Sequence, residues 1–319
     1  MRILRNILLI LASVATGATF LYSAWTKVLP IQPFEYTMVE YLHVPWVLAT
    51  VAARLLVGLE AALGGLMVLH LFGPGKAVLK GAFGLLVVLS VYLVWLWATA
   101  GNEVNCGCFG DEIWMSPAAS LAKNGVLLLV TGLLIRYHKG LSFRWGHTLA
   151  MVLLAVGTAL PFLLYPITMG KPGWLKKDGY TLDMAPLYAP IKDDTAALRV
   201  PYPDMPATDM RKGKYIIAFV SPSCEHCRIA ARKMALMKKD NPSLPFFMIV
   251  GGIASDLTDF WKQTRSQNLP WMRLHRDPFL YYTGGMFPLI VWVNDGRVEA
   301  KSTYNTLTQS EIEEWVARK

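Results

Sequence analysis

Five stretches of this 319-residue chain are apolar and long enough to cross a bilayer, and they constrain its fold more than any other feature. They run over Asn6–Val28, Trp46–Phe72, Val78–Ala100, Ala118–Ile135 and His147–Met169. Each approaches the roughly 20 apolar residues that a ~30 Å hydrocarbon core demands. The first begins after Arg2 and Arg5 like a secretory leader, but its apolar run is too long for one and leads into further spans. It is expected to be retained. The fold class is therefore a membrane α-helical bundle of about five helices over 1–169, followed by a more polar remainder.

Composition agrees with that division. Hydrophobic residues make up 54% of the chain and charged ones 17%, with a mean hydropathy of +0.37. The formal charge of +9 does not require nucleic acid as a partner, because much of the excess lies in short loops between apolar runs. Arg2 and Arg5, Lys76 and Lys80, and Arg136, Lys139 and Arg144 mark one side; Glu35, Glu40, Glu103, Asp111 and Glu112 mark the other. Positive loops face the cytoplasm. This orientation predicts a cytoplasmic-membrane protein with its N-terminus inside and everything after Met169 outside.

Only four cysteines occur, as Cys106/Cys108 and Cys224/Cys227. Two close pairs point to redox or metal chemistry, since structural bridges usually join distant segments. The predicted orientation puts both pairs on the extracytoplasmic side, where disulfides persist.

Residues 170–213 are Pro-rich and polar, and read as a linker, either a passive tether or a segment that packs against the following domain. As a flexible coil, ~40 residues would span on the order of 35 Å. A tethered domain would then meet the membrane bundle at an effective concentration in the mM range. Residues 214–319 alternate between strand-like and helix-like segments. Lys214–Ser221 and Leu244–Val250 are apolar strand candidates, Glu225–Lys239 and Asp256–Ser266 helices, the latter capped by Ser255. Leu289–Val293 and Arg297–Lys301 form a hairpin around Asn294-Asp295-Gly296, and Gln309–Ala317 is a final helix. The pattern predicts an α/β domain with a mixed sheet.

Cys224 follows the first of these strands, where the chain turns into a helix whose free N–H groups and dipole favour a thiolate. Cys227 is one helical turn on, and His226 between them adds a donor or a positive charge. Phe219-Val220-Ser221-Pro222-Ser223-Cys224-Glu225-His226-Cys227 resembles a thioredoxin-superfamily active site, and Phe287-Pro288 before the next strand resembles that family's cis-proline. The resemblance covers roughly 205–319. It implies Cys224 as nucleophile, Cys227 as resolving cysteine, and Pro288 as the proline beside the mixed disulfide. Ser223 stands where the family commonly has Trp, and Glu225-His226 where thioredoxin has Gly-Pro. A His before the second cysteine is similar to the oxidant DsbA.

Asn105-Cys106-Gly107-Cys108-Phe109-Gly110-Asp111 lies just outside the third span. A disulfide between residues i and i+2 closes a tight ring, which suits an exchange station better than a staple. With Tyr22-Ser23-Ala24-Trp25-Thr26-Lys27 and Glu60-x-x-x-Gly64, the loop resembles the MauE/DoxX-like membrane family over about 5–135. Glu60 and Arg54 in the second span are costly in lipid. They are candidates for an ion pair that fixes the bundle, or for binding a quinone headgroup and relaying its protons. Tyr92, Trp95, Trp97 and Trp114 read as interfacial aromatics, with a quinone-pocket wall as the alternative.

The favoured reading is a thiol–disulfide oxidoreductase. Electrons pass from extracytoplasmic client thiols to Cys224/Cys227, then to Cys106/Cys108, with quinone as final acceptor by analogy with known relays. No metal is required. The alternatives are an extracytoplasmic reductase with reversed flow, disfavoured by the lack of any cytoplasmic cysteine, and soft-metal handling of copper or zinc by the two thiol pairs.

Overall fold

Lipid offers no partner for a peptide N–H or C=O, so an apolar stretch that crosses it folds as a helix. The computed structural model describes residues 2–111, 113–141, 144–167, 171–175, 179–189, 203, 205–251 and 257–318. They fall into two units, Met1–Ile167 and Thr168–Lys319. The first unit contains α1 (Arg2–Val28), α2 (Gln32–Leu42), α3 (Trp46–Val68), α4 (Ala77–Ala100), α5 (Pro117–Tyr137) and α6 (Gly146–Leu164), with an extended segment β1 (Cys108–Asp111) between α4 and α5. All but α2 are long and apolar enough to cross a membrane, and they match the five stretches expected. The fifth helix ends at Leu164; Met169, where the expected span closed, lies outside the described residues.

Local chemistry sets the helix ends. Pro117 opens α5, and the Ser116 hydroxyl accepts from the Ala119 N–H. The short α2 was not foreseen, because eleven residues carrying Glu35 and Glu40 read as an acidic loop. Its inner face is polar: Glu35 and Thr37 are buried beside Tyr36 and Met38.

α1 and α3 touch along glycine. A Cβ on Gly64 would lie 2.7 Å from the Gly17 carbonyl oxygen, and one on Gly17 would lie 2.6 Å from that of Gly64. Small residues permit such an approach where helices gain nothing by excluding lipid. Ser13 seals the crossing by donating to the Met67 carbonyl at 2.9 Å. α3 is thereby matched against the later part of α1, and the middle of α3 comes level with the last turn of α1. A second close contact, where Gly58 would meet the Thr158 carbonyl at 2.4 Å, joins α3 to α6.

The second unit is built on a six-stranded sheet of order β2-β7-β6-β3-β4-β5. Its strands are β2 (Gly173–Trp174), β3 (Lys214–Val220), β4 (Phe246–Gly251), β5 (Trp271–Leu274), β6 (Leu289–Asn294) and β7 (Arg297–Ser302). The helices are α7 (Glu225–Asp240), α8 (Leu257–Thr264), α9 (Arg276–Thr283) and α10 (Gln309–Ala317). β3 is central, parallel to β4 and antiparallel to β6. The β6–β7 turn has positive φ at Asp295 and Gly296, the primed geometry that suits a hairpin. β5 and α9 were not anticipated, since four residues and eight residues carry little periodic signal. Ser255 and Asp256, the expected start of α8, lie outside the described residues.

Part of the expected linker belongs to this sheet. Gly173 and Trp174 pair with Lys301 and Ala300 on β7. Leu182, Met184, Leu187 and Met210 are buried with Phe219, Phe247 and Val291. Apolar side chains spaced among prolines anchor this segment, where the polar composition alone suggested a free tether.

The helix crossing gives a direct test. Gly64→Val is expected to lower the thermal midpoint of the purified chain in detergent, an overpacking effect of about 1–3 kcal/mol. Gly65→Val should leave it nearly unchanged, because a Cβ at Gly65 meets nothing within 4 Å.

Candidate active sites

The chain leaves β3 at Val220, and Cys224 becomes the N-cap of α7. Its sulfur accepts the Cys227 N–H at 3.2 Å and lies 3.8 Å from the Phe287 carbonyl oxygen. The Phe287–Pro288 peptide bond is cis. Cys224 is half-buried and Cys227 buried, and both are thiols. Cys224 titrates at about 6, well below an ordinary thiol. The chief cause is a hydrogen bond from the Cys227 thiol, followed by the Cys227 N–H and the charge of His226. Burial and the neighbouring Cys224 sulfur push Cys227 up. The pair therefore holds one ready thiolate and one protected thiol.

Two neighbours of this site were not read from the sequence. Tyr304, in the turn after β7, stacks on His226 with ring centroids 5.7 Å apart, and its hydroxyl lies 3.3 Å from Nδ1. Lys233 on α7 donates to the Tyr304 carbonyl at 2.6 Å and fixes that turn. Arg228 holds the loop from the other side, donating to the Pro222 carbonyl at 2.8 Å and pairing with Asp259 at 2.9 Å. An aromatic next to a closing hairpin was the available signal for Tyr304, but nothing local ties it to a histidine 78 positions earlier.

In the first unit the Cys-Gly-Cys loop folds back against the helices. Cys106 is buried, its N–H donates to the Met115 carbonyl at 2.9 Å, and its sulfur lies 2.9 Å from the Ser120 hydroxyl. Cys108 is half-buried, and its N–H donates to the Cys106 sulfur at 3.2 Å. Gly110 has a φ of +60° and packs on the Thr26 carbonyl, where a Cβ would come within 2.4 Å. Cys106 titrates at about 6 because the Cys108 thiol donates to it, with further help from Ser120 and Lys123. The same bond and burial raise Cys108.

Beneath this loop lies an open cleft, and both cysteines line it. Glu60 forms its back wall. The Glu60 carboxylate receives two hydrogen bonds from Lys27, at 2.7 and 2.9 Å. Lys27 also donates to Ser23, whose hydroxyl lies 2.9 Å from the Cys108 carbonyl oxygen. Arg54 is elsewhere: it pairs with Glu35 at 2.5 Å and donates to the Tyr165 carbonyl at 2.7 Å, tying α2, α3 and the end of α6 together. The two expected ionisable residues thus do not meet. Each has its own partner on a neighbouring helix, and only Glu60 reaches the cysteines. Trp95, Trp97 and Trp114 are about half exposed, whereas Tyr92 turns into the cleft.

Alkylation of Cys224 by iodoacetamide follows its thiolate fraction. In the Cys106→Ser/Cys108→Ser chain its rate is expected to rise with a midpoint near pH 6. Cys227→Ala should move that midpoint upward further than His226→Ala. The depressed value also stabilises the reduced fold above the ordinary thiol range, and this contribution fades as pH falls through about 6.

Residues 5–137 match the family model described as methylamine utilisation protein MauE. Protein TlpB of Flavobacterium psychrophilum is 25% identical over 342 residues, covering 92% of this chain and 90% of its own length. Among solved structures, the thioredoxin domain of a thiol-disulfide oxidoreductase from Bacteroides vulgatus is 18% identical with a TM-score of 0.30, covering 34% of this chain and 82% of that one. A secreted Mycobacterium tuberculosis disulfide oxidoreductase, described as homologous to Escherichia coli DsbE, is also 18% identical, with a TM-score of 0.28 and coverage of 33% and 81%. The chain is an integral membrane protein whose residues 5–137 match the MauE family model, followed by a unit built on a mixed six-stranded sheet that resembles thioredoxin-like domains.

Proposed function

We propose that this chain is a membrane thiol–disulfide oxidoreductase that draws electrons from extracytoplasmic client thiols and delivers them to a membrane quinone. The observation that carries this reading is the matched asymmetry of its two dithiols. Each combines one thiolate at about pH 6 with a partner held as a thiol, and the partners differ in access.

The proposed exchanges run in one order. With both pairs oxidised, a client thiolate attacks the half-exposed Cys224, and Cys227 departs. A second client thiol then attacks the client's own sulfur in the mixed disulfide and leaves oxidised. Cys224 departs as a stable thiolate, which favours this direction. Cys224 next attacks Cys108, the less buried residue of the second pair. Cys106 is the leaving group, stabilised by Ser120 and Lys123. Cys227 finally attacks Cys224, re-forming that disulfide and releasing Cys108. Two electrons and two protons have then moved from the client to the membrane pair.

Loop charge supports placing both pairs on the periplasmic side of the inner membrane, with the N-terminus in the cytoplasm. Quinone supplies the two-electron acceptor that regenerates the Cys106–Cys108 disulfide. The reversed circuit would need a reductant from the cytoplasm, and no cysteine lies on that side to carry it.

In the Cys227→Ser/Cys106→Ser chain, mild oxidation with diamide, which supplies the two-electron oxidant, is expected to join Cys224 to Cys108, a link identified by non-reducing peptide mapping. If that link never forms, or if Cys224 joins only Cys106 in the Cys227→Ser/Cys108→Ser chain, the assigned order is wrong. Cys224→Ser should abolish exchange with a model dithiol.

A further inference from the structure

The cleft beneath the Cys-Gly-Cys loop contains two polar groups that the protein leaves unfilled. The Tyr92 hydroxyl is buried and has no hydrogen-bond partner. Leaving such a group unsatisfied costs about 1–3 kcal/mol, so it calls for a missing acceptor. Lys123, half-buried on α5, is the second. No carboxylate among the described residues pairs with it, and its ammonium lies 4.4 Å from the centre of the Phe109 ring. The other charged groups in the cleft, Lys27 and Glu60, neutralise one another. Among the described residues, the site therefore presents one cation without a carboxylate partner and one hydroxyl without an acceptor, both hydrogen-bond donors, beside the two sulfurs.

The rest of the lining narrows the ligand class. Phe20, Leu86, Leu89 and Leu127 make the wall away from the loop apolar, and all four belong to membrane-crossing helices. A ligand that fits is a flat apolar ring with acceptor oxygens, able to reach the cleft from lipid and to take two electrons from an adjacent dithiol. We propose that Lys123 and Tyr92 bind the carbonyl oxygens of a quinone in this cleft, against Cys106 and Cys108. The inference rests on the relay reading and deepens it. It also moves the headgroup contacts away from Arg54, which is committed to Glu35, and from Glu60, which is committed to Lys27.

The chemistry balances at this site. Closing the Cys106–Cys108 bond releases two electrons and two protons from the dithiol, and the quinone leaves as quinol. Lys123 stabilises negative charge that develops on the nearer oxygen, and Tyr92 orients the ring.

Duroquinone tests this, because its fully substituted ring resists direct addition of a thiol. Two readouts are taken on the full chain in lipid nanodiscs: the rate at which duroquinone closes the Cys106–Cys108 disulfide, and its protection of Cys106 from alkylation in the Cys108→Ser chain, which cannot close the bond. Lys123→Met is expected to slow closure on the order of tenfold or more and to remove the protection. Lys123→Arg should retain both, and Tyr92→Phe should weaken the protection. Leu127→Trp, which fills the cleft, should abolish both readouts while exchange of Cys224/Cys227 with dithiothreitol continues; if that variant does not fold, the Lys123 pair carries the test. Closure and protection that are unchanged in Lys123→Met, Tyr92→Phe and Leu127→Trp would overturn this site and leave the relay standing. If duroquinone neither closes the pair nor protects Cys106 in the unaltered cleft, the quinone reading itself falls.

Discussion

A lysine and a glutamate taken out of water lose several kcal/mol of hydration each, and they regain it only with close geometry and satisfied hydrogen bonds. Lys27 and Glu60 meet those conditions, with side chains 3% and 2% exposed and Ser23 bonded to both. Shifting α3 along α1 by a turn would leave a bare charge inside the bundle. The pair therefore fixes the register that the Gly17–Gly64 crossing permits. It also supports the functional loop, because Ser23 reaches the Cys108 carbonyl. Removing either charge strands the other, so the cleft and the cysteine loop depend on the pair staying intact.

The two cysteine pairs solve one problem by different means. At Cys224 the thiolate is stabilised at a helix start, with the Cys227 thiol and N–H as its main donors. At Cys106 the thiolate draws on Cys108, Ser120 in the first turn of α5, and Lys123. In both, a second cysteine is pushed up and waits as a thiol. The less buried residue is the low-pKa one at Cys224/Cys227 and the raised one at Cys106/Cys108. The proposed order of exchange uses that inversion.

Much of this was legible in the residues. Apolar length gave the five helices, and the cysteine spacing, the flanking strand and helix, and Phe287-Pro288 gave the thioredoxin-like domain. What escaped was non-local or short. Lys27 read as the flank of a span, since its partner Glu60 lies on another helix and at a depth set by the helix crossing. Tyr304 touches His226 through the tertiary fold alone. β2 has two residues, too few for any period, and α2 hides Glu35 from view because its partner Arg54 is on the next helix. Lys123 drew no reading from the sequence; its place in the cleft, without a carboxylate partner among the described residues, comes from the fold alone.

In the proposed relay, electrons flow from extracytoplasmic client thiols to a bilayer acceptor. The most direct measurement is the redox state of Cys224/Cys227, read by alkylation in intact cells with quinone present and after quinone depletion. The relay predicts a pair that is mostly oxidised and becomes reduced when quinone is withdrawn. A pair that is reduced under both conditions would contradict it and indicate the opposite flow.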